Sequence, residues 1–344
     1  MSKTLNFLIK TLLTVGLFSY LIARALQGSA FSELNVRALQ LDYLALGFLF
    51  NLIATTITII RWRTLVEALD TPLSLPNALK FGFIGFMFNL SPVGIVGGDA
   101  VKVYLLARKT RMPVERATAS VVLDRVIGLY VMFILGLAVV FLTGFHHRTE
   151  PLALLATRGL VALTIATTIF MAFVVAPSSR KNMRLTIASK VPLVGGIMRK
   201  ITAATLAYRH RRRVLFRAFL ATFLVHFSFA ISLYFLARGL FARGPSLIDH
   251  TILYCVGNVA SVIPLSAGPF EYFLDELYPL FSIPGHANFE IGYGMTIGVA
   301  YRLSTVLVAL VGVAYYFLSR EDVAYALKAA ERGKDVESND SGNP

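Results

Sequence analysis

The chain has 344 residues, 56% of them hydrophobic and only 15% charged, against roughly a quarter charged in a soluble domain. Its mean hydropathy of +0.68 and its long apolar runs exclude a string of soluble domains. The single cysteine, Cys255, excludes a disulfide framework and a Cys-based metal site. The net charge of +14 is placed unevenly: eleven Lys or Arg and no acid lie between Arg180 and Arg217, flanked by apolar stretches. No nucleic-acid motif accompanies them, so this charge points to a membrane surface and not to nucleic acid.

A helix crossing a hydrocarbon core of about 30 Å needs about 20 apolar residues. In chain order, runs of that length fall at 7–26, 41–60, 119–143, 152–176, 214–241 and 291–318. The first has a basic start and an Ala23-Arg24-Ala25 that faintly resembles a cleavage site, but its length predicts a retained span. Two further apolar stretches are interrupted. Residues 79–100 contain Ser91-Pro92, Gly94, Gly97 and Gly98; residues 250–284 contain Pro264, Gly268, Pro269, Pro279 and Pro284. Such backbone frees polar groups that lipid cannot satisfy, so both stretches are predicted to be re-entrant hairpins sheltered by protein or water. With the N-terminus in the cytoplasm, this arrangement puts twenty-five Lys or Arg on the cytoplasmic side and three outside, as the positive-inside rule requires.

The predicted fold is therefore an all-α polytopic membrane protein with six spanning helices and two broken, re-entrant hairpins, eight apolar segments in all. A single transmembrane domain covers 1–320, and a charged cytoplasmic tail follows over 321–344. The order span, span, broken segment, span occurs twice, in halves of about 1–145 and 150–320. Three crossings per half give the second half the opposite orientation, an inverted-topology repeat of the kind seen in secondary transporters.

Several polar residues within this apolar background are candidate binding groups. Asn89 and Pro92 mark a broken helix, and Gly97 and Gly98 permit close backbone approach. Gly94 and Gly98 equally suit a small-residue packing face. Asp99 precedes a helical run containing Lys102 and Arg108, which makes it a plausible N-cap. Asp124 and Arg125 lie five or six residues into their span. Arg125 can snorkel, pair with Asp99 or Asp124, or present a bidentate fork to a phosphate. Arg302 lies deeper in its span and calls for a buried acid, with Glu271, Asp275 and Glu276 nearest in sequence. Asn258, Gly268 and Glu271 occupy positions in the second broken segment like those of Asn89, Gly98 and Asp99 in the first. His226, alone on an apolar helix, reads as a hydrogen-bonded interior residue. No Walker loop, His-Glu-x-x-His, Asp-x-Asp or Gly-x-Ser-x-Gly occurs; no enzyme activity and no cofactor are expected.

Taken together, Asn89-Leu-Ser-Pro92, Gly97-Gly98-Asp99-Ala-Val-Lys102-Val-Tyr-Leu-Leu-Ala-Arg108 and Ala119-Ser120-Val-Val-Leu-Asp124-Arg125-Val-Ile-Gly128 resemble the transmembrane region of lysylphosphatidylglycerol synthases. That family includes stand-alone flippase-like members. The resemblance covers about residues 5–320 and places Asn89, Pro92, Gly97, Gly98, Asp99, Lys102, Asp124 and Arg125 at family motif positions. In the second half, family members have a glycine-richer stretch ending in an acid, where this chain has Pro264-Leu-Ser-Ala-Gly268-Pro-Phe-Glu271. The resemblance implies a bacterial plasma-membrane protein that handles lipids, with anionic phospholipids or polyprenyl-linked lipids as partners. The separate aminoacyl-transfer domain of the full-length enzymes has no counterpart in these residues. The expectation is a lipid flippase. The alternatives are an accessory subunit of a lipid or envelope-glycan biosynthesis complex, with membrane-protein partners, and a membrane-embedded lipid-modifying enzyme using Asp99, Asp124 or Glu271.

Overall fold

The computed structural model describes residues 39–90, 95–175, 202–203, 206–208, 210–241, 244–259, 268–281 and 289–319, together with positions 16, 19, 20 and 23. The predicted first span, Pro92, residues 177–201 of the basic loop and the tail 321–344 lie outside the described residues, apart from those four isolated positions in the span.

Every regular element among the described residues is helical. In chain order they are α1 (Leu41–Glu67), α2 (Leu75–Asn89), α3 (Ile95–Thr110), α4 (Val114–Leu142), α5 (Pro151–Val175), α6 (Arg212–Leu240), α7 (Leu247–Val259), α8 (Pro269–Leu277) and α9 (Tyr293–Phe317), with short 3-10 turns at Phe145–His147 and Tyr278–Leu280. Helices α1, α4, α5, α6 and α9 are long and apolar enough to cross a membrane, and they correspond to five of the six predicted spans. Threonine is tolerated in these helices because its hydroxyl is satisfied locally: Thr56, Thr58, Thr164, Thr167 and Thr305 each donate to the carbonyl four residues earlier. Large apolar side chains such as Leu155, Ile169, Leu224 and Leu303 stay exposed. Such a belt is a liability in water and natural in lipid.

The boundaries differ from expectation at α1. The apolar run ends at Ile60, yet the helix continues to Glu67. Arg63 supports the extension through an ion pair to Glu67 at 2.7 Å, and its Nε donates to the Leu73 carbonyl at 2.7 Å. At 27 residues and 1.5 Å per residue the helix is about 40 Å long, more than a bilayer core of about 30 Å requires.

The two broken segments are pairs of short helices. In the first, α2 ends at Asn89, α3 begins at Ile95, and the two pack along one another. Asp99 does not cap α3, contrary to the reading above: the helix begins at Ile95, so Asp99 lies inside it. Gly97 and Gly98 are already helical, and the second allows close approach. A Cβ at Gly98 would fall on the Gly85 carbonyl oxygen of α2 and on the Asn89 side chain. In the second segment, α8 is preceded by Gly268, whose φ of +107° suits glycine and few other residues. Pro269 follows at the first helical position, where its missing N–H costs nothing.

The structure has two compact units, and each draws on both halves of the chain. One comprises residues up to Thr58, Gly128–Phe170 and Leu220–Val308. Its core is formed by Phe133, Leu160, Leu233, Leu253, Leu274 and Ile297 with their neighbours. The other comprises Ile59–Ile127, Met171–Phe219 and Ala309–Pro344. Its fully buried side chains include Trp62, Leu65, Ile84, Leu106, Leu123 and Tyr208.

The contact at Gly98 leads to a test. Gly98→Leu is expected to force α2 and α3 apart at a cost of about 1–3 kcal/mol, the range for overpacking a filled site, and to lower the melting temperature in detergent. Gly159→Leu on α5 has open space around it and should leave melting unchanged or raise it slightly. Equal effects of the two substitutions would contradict the packing described.

Candidate functional site

The unit built from Ile59–Ile127 holds a concentration of charge. Arg61, near the end of α1, donates from Nε to Asp124 Oδ1 at 2.9 Å and from a terminal nitrogen to the Asp124 carbonyl at 3.3 Å. Both side chains are only 4% exposed. Arg125, the next residue on α4, turns to α3: its Nε and a terminal nitrogen grip the two oxygens of Asp99 at 3.0 and 2.8 Å. This second pair opens outward, with Arg125 at 44% and Asp99 at 20% side-chain exposure.

Lys102 lies one turn beyond Asp99 on the same helix, is 8% exposed, and holds its ammonium 3.9 Å from the centre of the Trp62 ring. Cation–π attraction supplies part of what burial takes away. Trp62 is itself fixed, because its indole N–H donates to Ser120 Oγ at 3.2 Å, and that hydroxyl donates onward to the Ala117 carbonyl at 2.7 Å. Among the described residues the Lys102 ammonium makes no hydrogen bond and no ion pair. Burial pushes it down to about 8, and the charges of Asp124 and Asp99 oppose that fall. Arg125 and Arg61 act on it in the same direction as burial. Tyr208 closes another side of the α1 end, donating to the Leu65 carbonyl at 2.9 Å. Burial raises its pKa, so the hydroxyl remains a donor.

The other unit holds a simpler arrangement. Glu271, fully buried on α8, accepts the Gly268 N–H at 2.8 Å on one oxygen and Arg302 Nε at 2.8 Å on the other. Arg302 is thereby engaged through one nitrogen. Its two terminal nitrogens have no partner among the described residues, and its side chain is 28% exposed. One turn along α9, Thr305 accepts from Asn51 Nδ2 of α1 at 3.3 Å.

Of the sequence-predicted site residues, the fold brings Asn89, Gly98, Asp99, Lys102, Asp124 and Arg125 into one unit and Gly268, Glu271 and Arg302 into the other. Gly97 is part of the α3 backbone. Asn258 turns its amide to the Tyr254 carbonyl four residues back, and Pro92 is outside the described residues. The acid that meets Arg302 is Glu271. Asp275 serves differently, accepting the Gly292 and Met295 N–H groups at 2.7 and 3.0 Å as α9 begins. His226 is an interior residue as expected, between the Tyr254 hydroxyl at 3.1 Å and the Gly128 carbonyl at 2.9 Å. Sequence reasoning missed Arg61, placed in a cytoplasmic loop, and Trp62, the only tryptophan. Their signal was the helical continuation past Ile60, with a second arginine, Arg63, four residues ahead of an acid, Glu67.

The two arginine pairs should differ in their contribution to stability. Removing one partner of a buried pair strands the other charge, at about 3–5 kcal/mol, whereas exposed pairs contribute about 0–1 kcal/mol. Arg61→Ala is therefore expected to destabilise the detergent-solubilised protein by about 3 kcal/mol or more, and Arg125→Ala by about 1 kcal/mol. Thermal melting of both variants checks the order; equal losses would contradict it.

Among known proteins, the chain is similar to a UPF0104 membrane protein of Methanothermobacter thermautotrophicus, with 24% identity over 304 residues, 80% of this chain and 83% of the relative. A UPF0104 membrane protein of Pyrococcus horikoshii is 28% identical over 142 residues, 40% of this chain and 42% of that one. Another, of Methanocaldococcus jannaschii, is 27% identical over 112 residues, 31% of this chain and 33% of the relative. No solved structure matches the chain. Residues 7–312 match the family described as the lysylphosphatidylglycerol synthase TM region, and with the long apolar helices and motif residues in place, the chain belongs to that family of integral membrane proteins.

Proposed function

We propose that this protein carries an anionic, phosphate-bearing lipid between the leaflets of the plasma membrane, with the headgroup held at the Lys102 cluster and the acyl chains left in lipid. The observation that carries this reading is Lys102 itself. A lysine only 8% exposed, its ammonium over the Trp62 ring and without a hydrogen-bond acceptor among the described residues, is complementary to a phosphate oxygen. Arg125, at the more exposed edge, supplies a second cationic contact, and Asp99 holds its guanidinium in place through two hydrogen bonds.

The same geometry favours a carrier over a lipid-modifying enzyme. Asp99 and Asp124 are each engaged by an arginine, and Glu271 is engaged by Arg302 and the Gly268 amide. Carboxylates held this way are occupied in orienting cations. In this reading both termini are cytoplasmic, the two broken segments re-enter from opposite sides, and the halves of the chain form an inverted repeat. Alternating access, in which one site opens in turn to each leaflet, follows from such a repeat.

Native mass spectrometry of protein purified in mild detergent tests the binding. Wild type is expected to retain an anionic phospholipid, and Lys102→Met, which keeps the length and removes the charge, to lose at least tenfold in its retention while zwitterionic lipid is unaffected. Reconstituted vesicles carrying a fluorescent anionic lipid should show the same loss in transfer rate. Indistinguishable lipid profiles for wild type and variant would overturn the reading. Affinity should also depend on pH. A bound phosphate favours the charged ammonium, so binding is full below about pH 8 and declines as the pH rises through and beyond it. Lys102→Met should lack that decline.

A further inference from the structure

Where α1 meets α6 and α9, buried oxygens stand that the helices themselves leave unused. We infer that this junction forms a sodium site, built from the Asn51 amide oxygen and the Thr55 and Ser304 hydroxyls. Gly47, Asn51 and Thr55 recur every fourth residue and so share one face of α1. Ser232 of α6 donates to the Gly47 carbonyl at 2.7 Å, and Asn51 Nδ2 donates to Thr305 Oγ1 of α9 at 3.3 Å. That face therefore meets both helices.

The bond to Thr305 fixes the orientation of the amide. Thr305 gives its only hydroxyl proton to the Tyr301 carbonyl at 2.9 Å, so it accepts from Asn51, and the atom facing it is the nitrogen. Asn51 Oδ1 then points elsewhere and has no donor among the described residues. The hydroxyls of Thr55, one turn on, and of Ser304, next to Thr305 in the chain, have no partner among them either. All three residues are withdrawn from solvent, at 0%, 3% and 4% exposure. Helix geometry does not force this, because Thr56 and Thr58 donate to the Leu52 and Ala54 carbonyls at 2.8 and 2.9 Å. Buried polar atoms without a partner are rare in folded proteins and call for a water or an ion. Oxygen donors suit a hard cation. These oxygens are neutral, whereas calcium and magnesium sites rely on carboxylates. Arg302, one turn before Thr305, is engaged with Glu271 at 2.8 Å. The set therefore fits a monovalent ion. A Cβ on Gly47 would fall 2.7 Å from the Leu236 side chain, and so close an approach of α1 and α6 favours sodium over the larger potassium. In a carrier, an ion held between spanning helices couples transport to the sodium gradient. Binding of the ion itself does not depend on what Lys102 holds.

Thermal melting of the protein in dodecyl maltoside tests the site, with sodium chloride exchanged stepwise for potassium chloride or choline chloride at constant ionic strength. A saturable stabilisation specific to sodium is expected, reaching about tenfold in the unfolding constant when sodium stands at about ten times its dissociation constant. Radioactive sodium should bind the purified protein at a single site per chain. Thr55→Val and Ser304→Ala each remove one of the oxygens. Each should weaken sodium binding by about tenfold or more, the loss that even an outer-shell partner of a metal costs. Neither strands a polar group, since the hydroxyl removed has no partner among the described residues, so both variants are expected to fold. Thr56→Val removes a hydroxyl already satisfied by the Leu52 carbonyl and should leave sodium binding unchanged. Equal melting of wild type in sodium, potassium and choline would overturn the inference and leave the three oxygens to water. A sodium effect that survives undiminished in both Thr55→Val and Ser304→Ala would overturn it as well, because the ion would then bind elsewhere. Loss or retention of lipid at Lys102 moves neither result.

Discussion

Arg61 and Asp124 sit 2.9 Å apart with both side chains almost wholly withdrawn from solvent, and the rest of the polar architecture follows from that pair. A lone arginine or aspartate in an apolar interior would be prohibitively costly. Because each neutralises the other, α1 continues through Arg61 and α4 carries Asp124 four residues before its first glycine, Gly128. The extension of α1 brings Trp62 against Ser120 and supplies the aromatic face over which Lys102 rests. Asp124 is committed to Arg61, so Arg125 is left to seek Asp99 on α3. Two acids are thus used by two arginines, and the lysine between them keeps its charge without an acceptor among the described residues.

The other unit applies the same logic with fewer parts. Glu271 is buried by the turn at Gly268, whose amide it accepts, and Arg302 completes its neutralisation. The difference lies in which partner is left with unused donors. Near Lys102 the free donors belong to a buried ammonium; at Arg302 they are the terminal nitrogens of a partly exposed guanidinium. A buried cation without an acceptor is the stronger indication of a ligand, because water satisfies the exposed one at little cost.

Much of the fold was legible in the sequence because about twenty consecutive apolar residues have few other stable arrangements. Helices α5, α6 and α9 agree with the runs that predict them to within two residues at both ends, whereas α4 begins five residues early and α1 runs seven residues beyond Ile60. Hydropathy reads Arg61 as the end of a span because it scores a residue without its partner, and the partner lies 63 positions away. The same blindness explains Asp99. Helix-capping rules place an acid after two glycines at a helix start, whereas here Gly98 gives way to the Gly85 carbonyl and the helix is already under way. Motif reading found Lys102, Asp124 and Arg125 but not who pairs with whom, since pairing is fixed by the packing of α1, α3 and α4 and leaves no periodic trace. The Arg302–Glu271 pair was more accessible because few acids lie between α6 and α9.

The central claim is that a lipid phosphate is the missing acceptor for Lys102. The most direct measurement is a cryo-electron microscopy structure of the protein in nanodiscs of mixed zwitterionic and anionic phospholipid. The account predicts phosphate density within hydrogen-bonding distance of Lys102 Nζ, with Arg61 still on Asp124. An ammonium satisfied by a backbone carbonyl or an ordered water, with no lipid density in the site, would contradict it and make the cluster a structural element of the helix packing.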